Sequence, residues 1–303
     1  MRIILAGGSG LIGQALTESL LADEHDVGII SRNPNTADNI PVNVKVFGWQ
    51  ANDLIEGLEG VDVLINFAGA SIAGDSPLQM RWTAKRKKQI AESRIIAGNK
   101  LSEAIKTLSK KPRLLIQSSA VGFYGPLGDE LVDENYPAGK DFLAGVCQNW
   151  EESTREVESM GIRRVIVRTG LVFSKLGGIF PLLKLPFTLF VGGRIGDGQQ
   201  YLPWIHIDDF VNAIKFLIDD EKSAGIYNFS SPNPVNNATF AQLLGKAIER
   251  PSIIPVPALV IKLALGEAAT LALDGQRAVP QRLLESGYNF NYKFCTDALD
   301  SLK

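Results

Sequence analysis

The stretch LAGGSGLIGQAL, residues 5–16, decides the fold of this chain. Gly8, Gly10 and Gly13 fit the spacing G-x-G-x-x-G, and Gly7 belongs to a second, overlapping glycine spacing. Glycines at these intervals permit a tight turn after a strand, close approach of the backbone to a pyrophosphate, and close packing of a helix on a strand. An apolar run, RIILA, precedes the loop, and an amphipathic helical pattern follows it. The stretch therefore predicts a dinucleotide-binding loop, with the pyrophosphate at the helix N-terminus.

Short apolar runs alternate with helical patterns through the first half of the chain. Strands are predicted at 2–6, 27–31, 44–47, 62–67, 114–118 and 163–169, and helices near 11–22, 80–109 and 141–160. Apolar strands that alternate with helices are typical of a parallel sheet covered on both faces. We therefore predict an α/β fold with a Rossmann-like doubly wound parallel sheet.

The pattern changes after about residue 172, where glycines and prolines become frequent. A strand-like run at 226–231 and a helical pattern near 239–249 follow. The predicted domains are a dinucleotide-binding domain at 1–172, to which residues 204–232 return, and a smaller C-terminal substrate domain at 173–303.

Composition and charge exclude several classes of protein. The 303 residues are 45% hydrophobic and 21% charged, as in an ordinary globular protein. The net charge of −2 offers no field that would attract nucleic acid or an anionic membrane. Two cysteines, Cys147 and Cys295, fit a reducing compartment, and two histidines are too few for a usual zinc site.

The apolar stretches do not predict a membrane protein. Residues 179–193 and 253–273 are interrupted by charges and prolines, unlike a membrane-spanning helix of about 20 apolar residues. The N-terminus runs directly into a predicted strand and leaves no room for a signal peptide. We expect a soluble, cytoplasmic protein that binds a small molecule, with no metal, nucleic acid or membrane as partner.

The residues after the second predicted strand indicate which cofactor binds. An Asp or Glu at this place would bind the ribose 2′-hydroxyl of NAD, but the sequence has Ser31-Arg32-Asn33-Pro34. Arg32 is a planar cation suited to a 2′-phosphate, and the Ser31 hydroxyl can donate to the same group. The alternative interpretation is a surface arginine in a turn. The pattern favours NADP(H) over NAD(H).

Seven stretches, in order along nearly the whole chain, resemble the extended short-chain dehydrogenase/reductase superfamily. They are GGSGLIG (7–13), SRNP (31–34), NFAG (66–69), SSAVGFYG (118–125), RTGLVFSKLGG (168–178), PWIHIDD (203–209) and VPQRLLESGYNF (279–290). The chain is most similar to an atypical branch of "epimerase family" proteins, whose activity is generally unassigned. The resemblance implies that NADP contacts Ser31, Arg32, Phe67, Ala68, Arg94 and Val172. The predicted cofactor set also includes Gly7, Gly8, Ser9, Gly10, Leu11, Ile12, Gly13, Gly69 and Ser118.

The acid–base pair of that superfamily is absent from its expected place. The resemblance implies a Ser or Thr after the fifth strand, which Ser119 (or Ser118) matches, and a Tyr-x-x-x-Lys on the next helix. The expected Tyr and Lys positions fall on Ala144 and Gln148.

A Tyr-x-x-x-Lys does occur upstream, at Tyr136 and Lys140. Pro137 and Gly139 lie between these two residues and disfavour the helix that would bring them onto one face. We interpret this pair as a coincidence in a loop.

Ser119 and Tyr124 remain as the candidate catalytic residues. Tyr124 follows the fifth strand and is expected to overhang the cleft at the strand C-terminal ends, although packing is an equally good interpretation. Cys147 lies near the lost Tyr position and is interpreted as a small apolar filler.

A dense stretch in the second half, GGRIGDGQQYLPWIHIDDF at 192–210, indicates a substrate site. Arg194, Gln199, Tyr201 and Trp204 offer a cation, an amide and two flat faces for an anionic, ring-containing substrate, such as a nucleotide-linked one. Asp208 is predicted to be the N-cap of the helix that follows.

Two functions of different classes follow from these residues. The first is an NADP(H)-dependent oxidoreductase or epimerase acting on a small carbonyl or hydroxyl compound, with Ser119 and Tyr124 polarising and protonating the oxygen. The second is a catalytically inactive NADP(H)-binding sensor or scaffold that acts through a protein partner. The sequence names no substrate, and a homodimer is left open.

Overall fold

The computed structural model describes residues 1–34, 40–73 and 80–303. Its strands are β1 (Arg2–Ala6), β2 (Asp26–Ile30), β3 (Lys45–Phe47), β4 (Val63–Asn66), β5 (Leu114–Ala120), β6 (Leu131–Val132), β7 (Arg163–Thr169), β8 (Leu171–Phe173), β9 (Tyr201–Leu202), β10 (Trp204–His206), β11 (Gly225–Phe229), β12 (Val235–Asn236) and β13 (Arg277–Ala278). Its α-helices are α1 (Leu11–Ala22), α2 (Ala51–Leu58), α3 (Ala84–Thr107), α4 (Phe142–Glu152), α5 (Phe180–Thr188), α6 (Ile207–Asp219), α7 (Asn237–Ala247), α8 (Ala258–Leu265), α9 (Thr270–Leu273), α10 (Gln281–Glu285) and α11 (Cys295–Ser301). Short 3-10 helices occupy Val121–Tyr124, Arg155–Met160 and Gly266–Ala269.

The centre of the fold, within the described ranges, is a sheet of seven strands in the order β11-β7-β5-β4-β1-β2-β3. All neighbouring strands run parallel. In this register, Ile4 of β1 lies between Gly28 of β2 and Leu64 of β4. The predicted doubly wound parallel sheet is confirmed. Its strand order reverses between β1 and β4, where ligands bind in open α/β sheets.

Alternate residues of β1 belong to two different hydrophobic clusters. Ile3 packs in the cluster that contains Leu16 of α1 and residues of α6. Ile4 packs in the cluster that contains Leu54 of α2 and Leu101 of α3. Because successive side chains of a strand point to opposite faces, these clusters cover the two faces of the sheet.

The helix expected at 141–160 is shorter than predicted. The Asp141 side chain caps α4 by accepting a hydrogen bond from Ala144 N at 2.8 Å, and the α-helix ends at Glu152. Thr154 follows, fully buried, with its Oγ1 accepting from Arg164 Nη1 at 3.4 Å. Thr154 has a φ of −118°, outside the α-helical region, and the chain continues as the 3-10 helix Arg155–Met160.

The second half of the chain has a hydrophobic core of its own. This cluster joins β8, α5, β10, α7 and α11 through Phe173, Phe180, Trp204, Leu244 and Leu299. β11 nevertheless lies in the central sheet, beside β7. The predicted domain boundary near residue 172 stays a prediction.

The predicted N-cap of α6 is wrong by two residues. His206 is the N-cap, and its Nδ1 accepts a hydrogen bond from Asp208 N at 3.1 Å. Asp208 lies in the first turn, where its negative charge interacts favourably with the positive end of the helix dipole. Across the described residues, no helix combines the length and apolar character needed to cross a membrane.

Candidate functional site

The glycine loop lies between β1 and α1 and is shaped for close approach of a ligand. Gly7 has a φ of +82°, and a Cβ at this position would lie 2.9 Å from the Phe67 and Ala68 backbone. Gly10 is the N-cap of α1, and no side chain caps this helix. The first N–H groups of α1 therefore have no partner within the helix and suit a phosphate.

Gly13 allows α1 to pack directly on the same loop. A Cβ on Gly13 would lie 2.5 Å from Gly8 Cα, so no larger residue fits without moving the backbone. Together with the left-handed Gly7, this contact fixes the loop in a form that fits a dinucleotide pyrophosphate. Ser9 and Gly10 are exposed at the surface of the loop, and Leu11 is half-buried.

The residues expected at the adenosine end lie just after β2. Ser31 is 9% exposed and donates its backbone N–H to Phe47 O at 2.9 Å, and its Oγ accepts from Asn33 N at 3.3 Å. Arg32 is exposed beside it. A cation therefore stands at the place where NAD-binding folds carry an acid.

A cavity of about 500 Å³ lies at the C-terminal ends of the strands. It brings together six of the residues that the sequence singled out: Ile12, Phe67, Arg94, Ser118, Ser119 and Tyr201. Ala68 is buried beside Gly7, Gly69 faces the Arg94 side chain, and Val172 is 9% exposed in β8. The glycine loop and the cavity thus both lie at the C-terminal ends of the parallel strands.

Arg94 of α3 is a buried cation in the wall of this cavity. The residue is 7% exposed, its Nη1 donates to Ile90 O at 2.8 Å, and its guanidinium carbon lies 4.8 Å from the Trp150 ring centroid. Burial lowers the pKa of Arg94 to about 10, so the side chain remains charged at neutral pH.

Ser119, the candidate catalytic residue of β5, is bonded to a buried ion pair. Its Oγ donates to Glu151 Oε1 at 2.7 Å. Arg168 binds the same carboxylate with two nitrogens, Nε to Oε1 at 2.9 Å and Nη2 to Oε2 at 3.0 Å. Burial opposes the charge on Arg168, but hydrogen bonds and attraction from Glu151 raise its pKa. Ser119 therefore has an ionised acceptor for its proton.

Tyr124 does not overhang the cleft, contrary to the prediction from sequence. The 3-10 helix Val121–Tyr124 turns its side chain inward, where it is 2% exposed. Its hydroxyl donates to Asn228 Oδ1 at 2.7 Å and accepts from Arg168 Nη1 at 3.1 Å. Burial raises the pKa of Tyr124 to about 12. The structure places Tyr124 as a support for Arg168, out of reach of a ligand in the cavity.

The two Tyr-x-x-x-Lys positions lie on α4 and in the loop before it. On α4, Ala144 is buried, and Gln148 donates back to the Ala144 carbonyl at 3.3 Å. Tyr136 lies in a loop, and its hydroxyl donates to Glu130 Oε2 at 2.9 Å. Cys147 lines the cavity, but burial raises its pKa to about 11 and keeps the thiol protonated.

Three of the four predicted substrate residues lie away from the cavity, and only Tyr201 lines it. Trp204 is 0% exposed and stacks on Phe173 with ring centroids 5.7 Å apart. Arg194 is exposed and lines a separate cavity of about 260 Å³. Gln199 is exposed to solvent. This cavity therefore gives no support to these three residues as substrate contacts, and their assignment stays a prediction.

Gln200, which the sequence analysis missed, lines the cavity in place of Gln199. Its Nε2 donates to Ile195 O at 3.1 Å and to Ala272 O at 2.8 Å. Glu151 and Arg168 were missed as well. A signal for this pair was present in the run RRVIVRT, because a cation at the end of a buried apolar strand needs an anionic partner.

Comparisons with known proteins identify relatives over the whole length of this chain. The NAD dependent epimerase/dehydratase family matches residues 3–229, and a domain of unknown function (DUF1731) matches residues 256–302. The epimerase family protein YfhF of Bacillus subtilis is 36% identical over 305 residues, which cover 100% of this chain and 98% of that protein. The chloroplastic SDR39U1 homolog of Arabidopsis thaliana is 35% identical over 308 residues, covering 100% of this chain and 86% of that protein.

Solved structures share the same fold. The crystal structure of human epimerase family protein SDR39U1 (isoform 2) with NADPH has a TM-score of 0.91 and 32% identity, and covers 100% of this chain and 99% of that chain. The Thermus thermophilus UDP-glucose 4-epimerase in complex with NAD has a TM-score of 0.75 at 17% identity, a likeness of fold alone, over 100% of this chain and 98% of that chain. This chain therefore belongs to the NAD dependent epimerase/dehydratase family, within the extended short-chain dehydrogenase/reductase fold.

Proposed function

We propose that this protein is an NADP(H)-dependent oxidoreductase or epimerase that acts on a hydroxyl or carbonyl of a small substrate. The observation that carries the proposal is the position of Ser119, which lines a cavity at the same sheet edge as the glycine loop. NADP(H), when bound, supplies or accepts the hydride. The protein supplies the cavity, the orientation of the substrate and the path of the proton.

Several residues support NADP(H) as the cofactor. The loop around Gly7, Gly10 and Gly13 fits a pyrophosphate at the N-terminus of α1. Arg32 would pair with the 2′-phosphate that distinguishes NADP from NAD. The human relative whose structure was solved with NADPH supports the same choice.

Ser119 and Glu151 are the residues that we assign to proton transfer. A substrate hydroxyl that donates to Ser119 Oγ passes its proton to this oxygen, while the proton of Ser119 moves 2.7 Å to Glu151 Oε1. Arg168 holds the carboxylate with two hydrogen bonds. Such a relay needs neither the Tyr nor the Lys of the superfamily.

The alternative function is a sensor or scaffold that binds NADP(H) without turnover. An inactive protein would be free to fill the space beside Ser119 with apolar side chains. Here, however, Ser119 and Ser118 both line the cavity. This observation favours the enzyme.

Calorimetric titration with NADPH and NADH tests the proposal at its cofactor step. We expect NADPH to bind more tightly than NADH, and Arg32→Asp to lower NADPH affinity at least about tenfold because it replaces attraction to the 2′-phosphate by repulsion. Arg155→Asp, at another exposed arginine, is the matched control and should leave both affinities unchanged. Failure of the natural protein to bind either nucleotide would overturn the proposal.

Turnover is the second part of the test. NADPH binding followed by no oxidation of NADPH, and no reduction of NADP, with any alcohol or ketone offered would favour the sensor. Turnover that Ser119→Ala abolishes would support the enzyme.

A further inference from the structure

We propose that the substrate of this site is an uncharged, mostly apolar alcohol or ketone, and not a sugar carried on a nucleoside diphosphate. The inference rests on the proposed function and gives it a substrate class. It departs from the nucleotide-linked substrate that the stretch at 192–210 indicated. Three independent features of the cavity wall lead to it.

The first feature is the apolar character of the wall away from the glycine loop. Side chains from four separate parts of the chain meet there: Met80, Leu143, Val146, Leu183, Leu265 and Leu271. An apolar ligand that covers these side chains gains roughly 25 cal/mol of binding free energy per Å² of apolar surface removed from water. A sugar hydroxyl offers no apolar surface for this contact. An apolar wall of this kind fits a ligand with a hydrocarbon skeleton.

The second feature is charge. Among the described lining residues, Arg94 is the sole cation, whereas Asp141 and Asp274 are both acids. The sequence of 74–79, which lies outside the described residues, contains neither Lys nor Arg. A diphosphate removed from water needs cations or free backbone N–H groups as partners, and the charged side chains of this wall are more negative than positive.

The charged side chains of the wall already make contacts inside the protein. Asp141 caps α4, and Asp274 Oδ2 accepts from Thr270 Oγ1 at 2.6 Å. The Arg94 guanidinium lies against the Trp150 ring and bonds a backbone carbonyl. Each of these groups is held separately by the fold, and the three do not form a cluster of cations that would surround a diphosphate.

The third feature is the small number of polar atoms that remain available. Gln200 and Thr169 belong to the cavity wall, and their buried oxygens, Oε1 and Oγ1, have no hydrogen-bond partner among the described residues. Rotation of the Gln200 amide toward the cavity would present this oxygen, which can only accept, to a donor such as a hydroxyl. With Ser119, this makes an apolar pocket that has a few polar groups to fix one oxygen, as is usual for small uncharged ligands.

Binding can be measured without turnover. The full chain is titrated by calorimetry with three uncharged ketones (menthone, 2-decanone and cyclododecanone) when loaded with NADP⁺ and, separately, with UDP-glucose when loaded with NADPH, so that neither pairing can transfer a hydride. We expect at least one ketone to bind with a Kd below about 1 mM, and no heat from UDP-glucose over the same range. Binding of UDP-glucose together with silence from all three ketones would overturn the proposal, and so would silence from all four compounds.

Neighbouring leucines on α5 provide a matched pair of variants. Leu183 lines the cavity, while Leu182 is 48% exposed and does not. Leu183→Gln should weaken ketone binding about tenfold, and Leu182→Gln should leave it unchanged. Leu271→Gln repeats the test at a residue that is 43% exposed, where a polar side chain is compatible with folding. Equal ketone affinity in all three variants would show that the ketones bind elsewhere and would overturn the assignment.

The NADPH titration that precedes these measurements separates the two proposals. If NADPH does not bind, the proposed function fails, and the ketone titration of the unloaded chain still decides the character of the cavity. If NADPH binds and the ketones do not, the proposed function stands and the substrate class fails.

Discussion

Ser119 donates its hydroxyl hydrogen to Glu151 Oε1 at 2.7 Å, across the interface between β5 and α4. The carboxylate belongs to a buried pair with Arg168, whose side chain is 2% exposed. Because this hydrogen is used within the protein, the oxygen of Ser119, which also lies beside the Cys147 thiol, can act toward a ligand only as an acceptor. Ser119 is therefore arranged to accept a hydrogen bond from a substrate hydroxyl more readily than to donate one to a carbonyl.

Ser119→Ala should lower turnover by about 10²- to 10⁴-fold, because it removes the first member of the proton path. NADPH affinity should stay within about twofold, since the change leaves the glycine loop and Arg32 intact. Steady-state kinetics and calorimetry on the same preparation measure the two effects. Ser159→Ala, on the surface, is the control. A fully active Ser119→Ala variant would remove Ser119 from the mechanism.

Glu151→Ala should destabilise the fold by about 3 kcal/mol or more, because it leaves the charge of Arg168 buried without a partner. A double variant, Glu151→Leu with Arg168→Met, should recover much of this loss, since it removes both charges together. Urea unfolding measures the free energies. The exposed pair of Arg155 and Glu152 is the comparison: Glu152→Ala should leave stability nearly unchanged.

A double variant no more stable than Glu151→Ala would contradict this account. It would mean that the hydrogen bonds of Arg168 to its other neighbours, and not its pairing with Glu151, hold the region together.

Tyr124→Phe tests whether the Tyr124 hydroxyl supports Arg168 or takes part in catalysis. The change removes a hydroxyl bonded to Asn228 and Arg168, at a cost of about 1–2 kcal/mol in the free energy of unfolding. Turnover should fall far less than in Ser119→Ala, because the ring lies outside the cavity wall. A loss of turnover equal to that of Ser119→Ala, with normal stability, would restore Tyr124 as a catalytic residue.

Much of the fold could be predicted because the central strands are buried on both faces. Continuous apolar runs such as RIILA and RRVIVRT mark β1 and β7, and the predicted bounds agree with the structure at 2–6 and 163–169. The glycine loop was recognisable for a related reason. Its spacing reflects contacts within a short piece of chain, such as that between Gly13 and Gly8.

The site was harder to predict because it depends on contacts between distant residues and on the direction of single side chains. Glu151 and Arg168 meet only once α4 packs beside β7, and no local pattern pairs them. Gln199 and Gln200 differ by one position, yet only Gln200 lines the cavity. Tyr124 follows β5 as expected, but a 3-10 turn directs it into the core.

Two glycines within helices should respond in opposite ways to alanine. Gly13→Ala in α1 would place a Cβ 2.5 Å from Gly8 Cα, so the loop must shift, and both stability and NADPH affinity should fall. Gly145→Ala in α4 meets nothing within 4 Å and should stabilise the protein by about 0.5–1 kcal/mol. Thermal unfolding with and without NADPH measures both. Equal behaviour of the two variants would contradict the close packing of α1 on the loop.

The two thiols should be almost unreactive in the folded protein. Burial, and after it the charge of Glu151, raises the pKa of Cys147 to about 11, and burial raises that of Cys295 to about 12. A raised thiol pKa means less thiolate at a given pH, so at pH 8 about one Cys147 in a thousand is ionised. Iodoacetamide should therefore label the native chain at pH 8 far more slowly than the chain unfolded in urea, and the native rate should rise about tenfold per pH unit towards pH 10. In the Cys147→Ala variant, all remaining iodoacetamide labelling comes from Cys295. Rapid labelling of native Cys147 at pH 8 would contradict this prediction and indicate an activated thiol in the cavity.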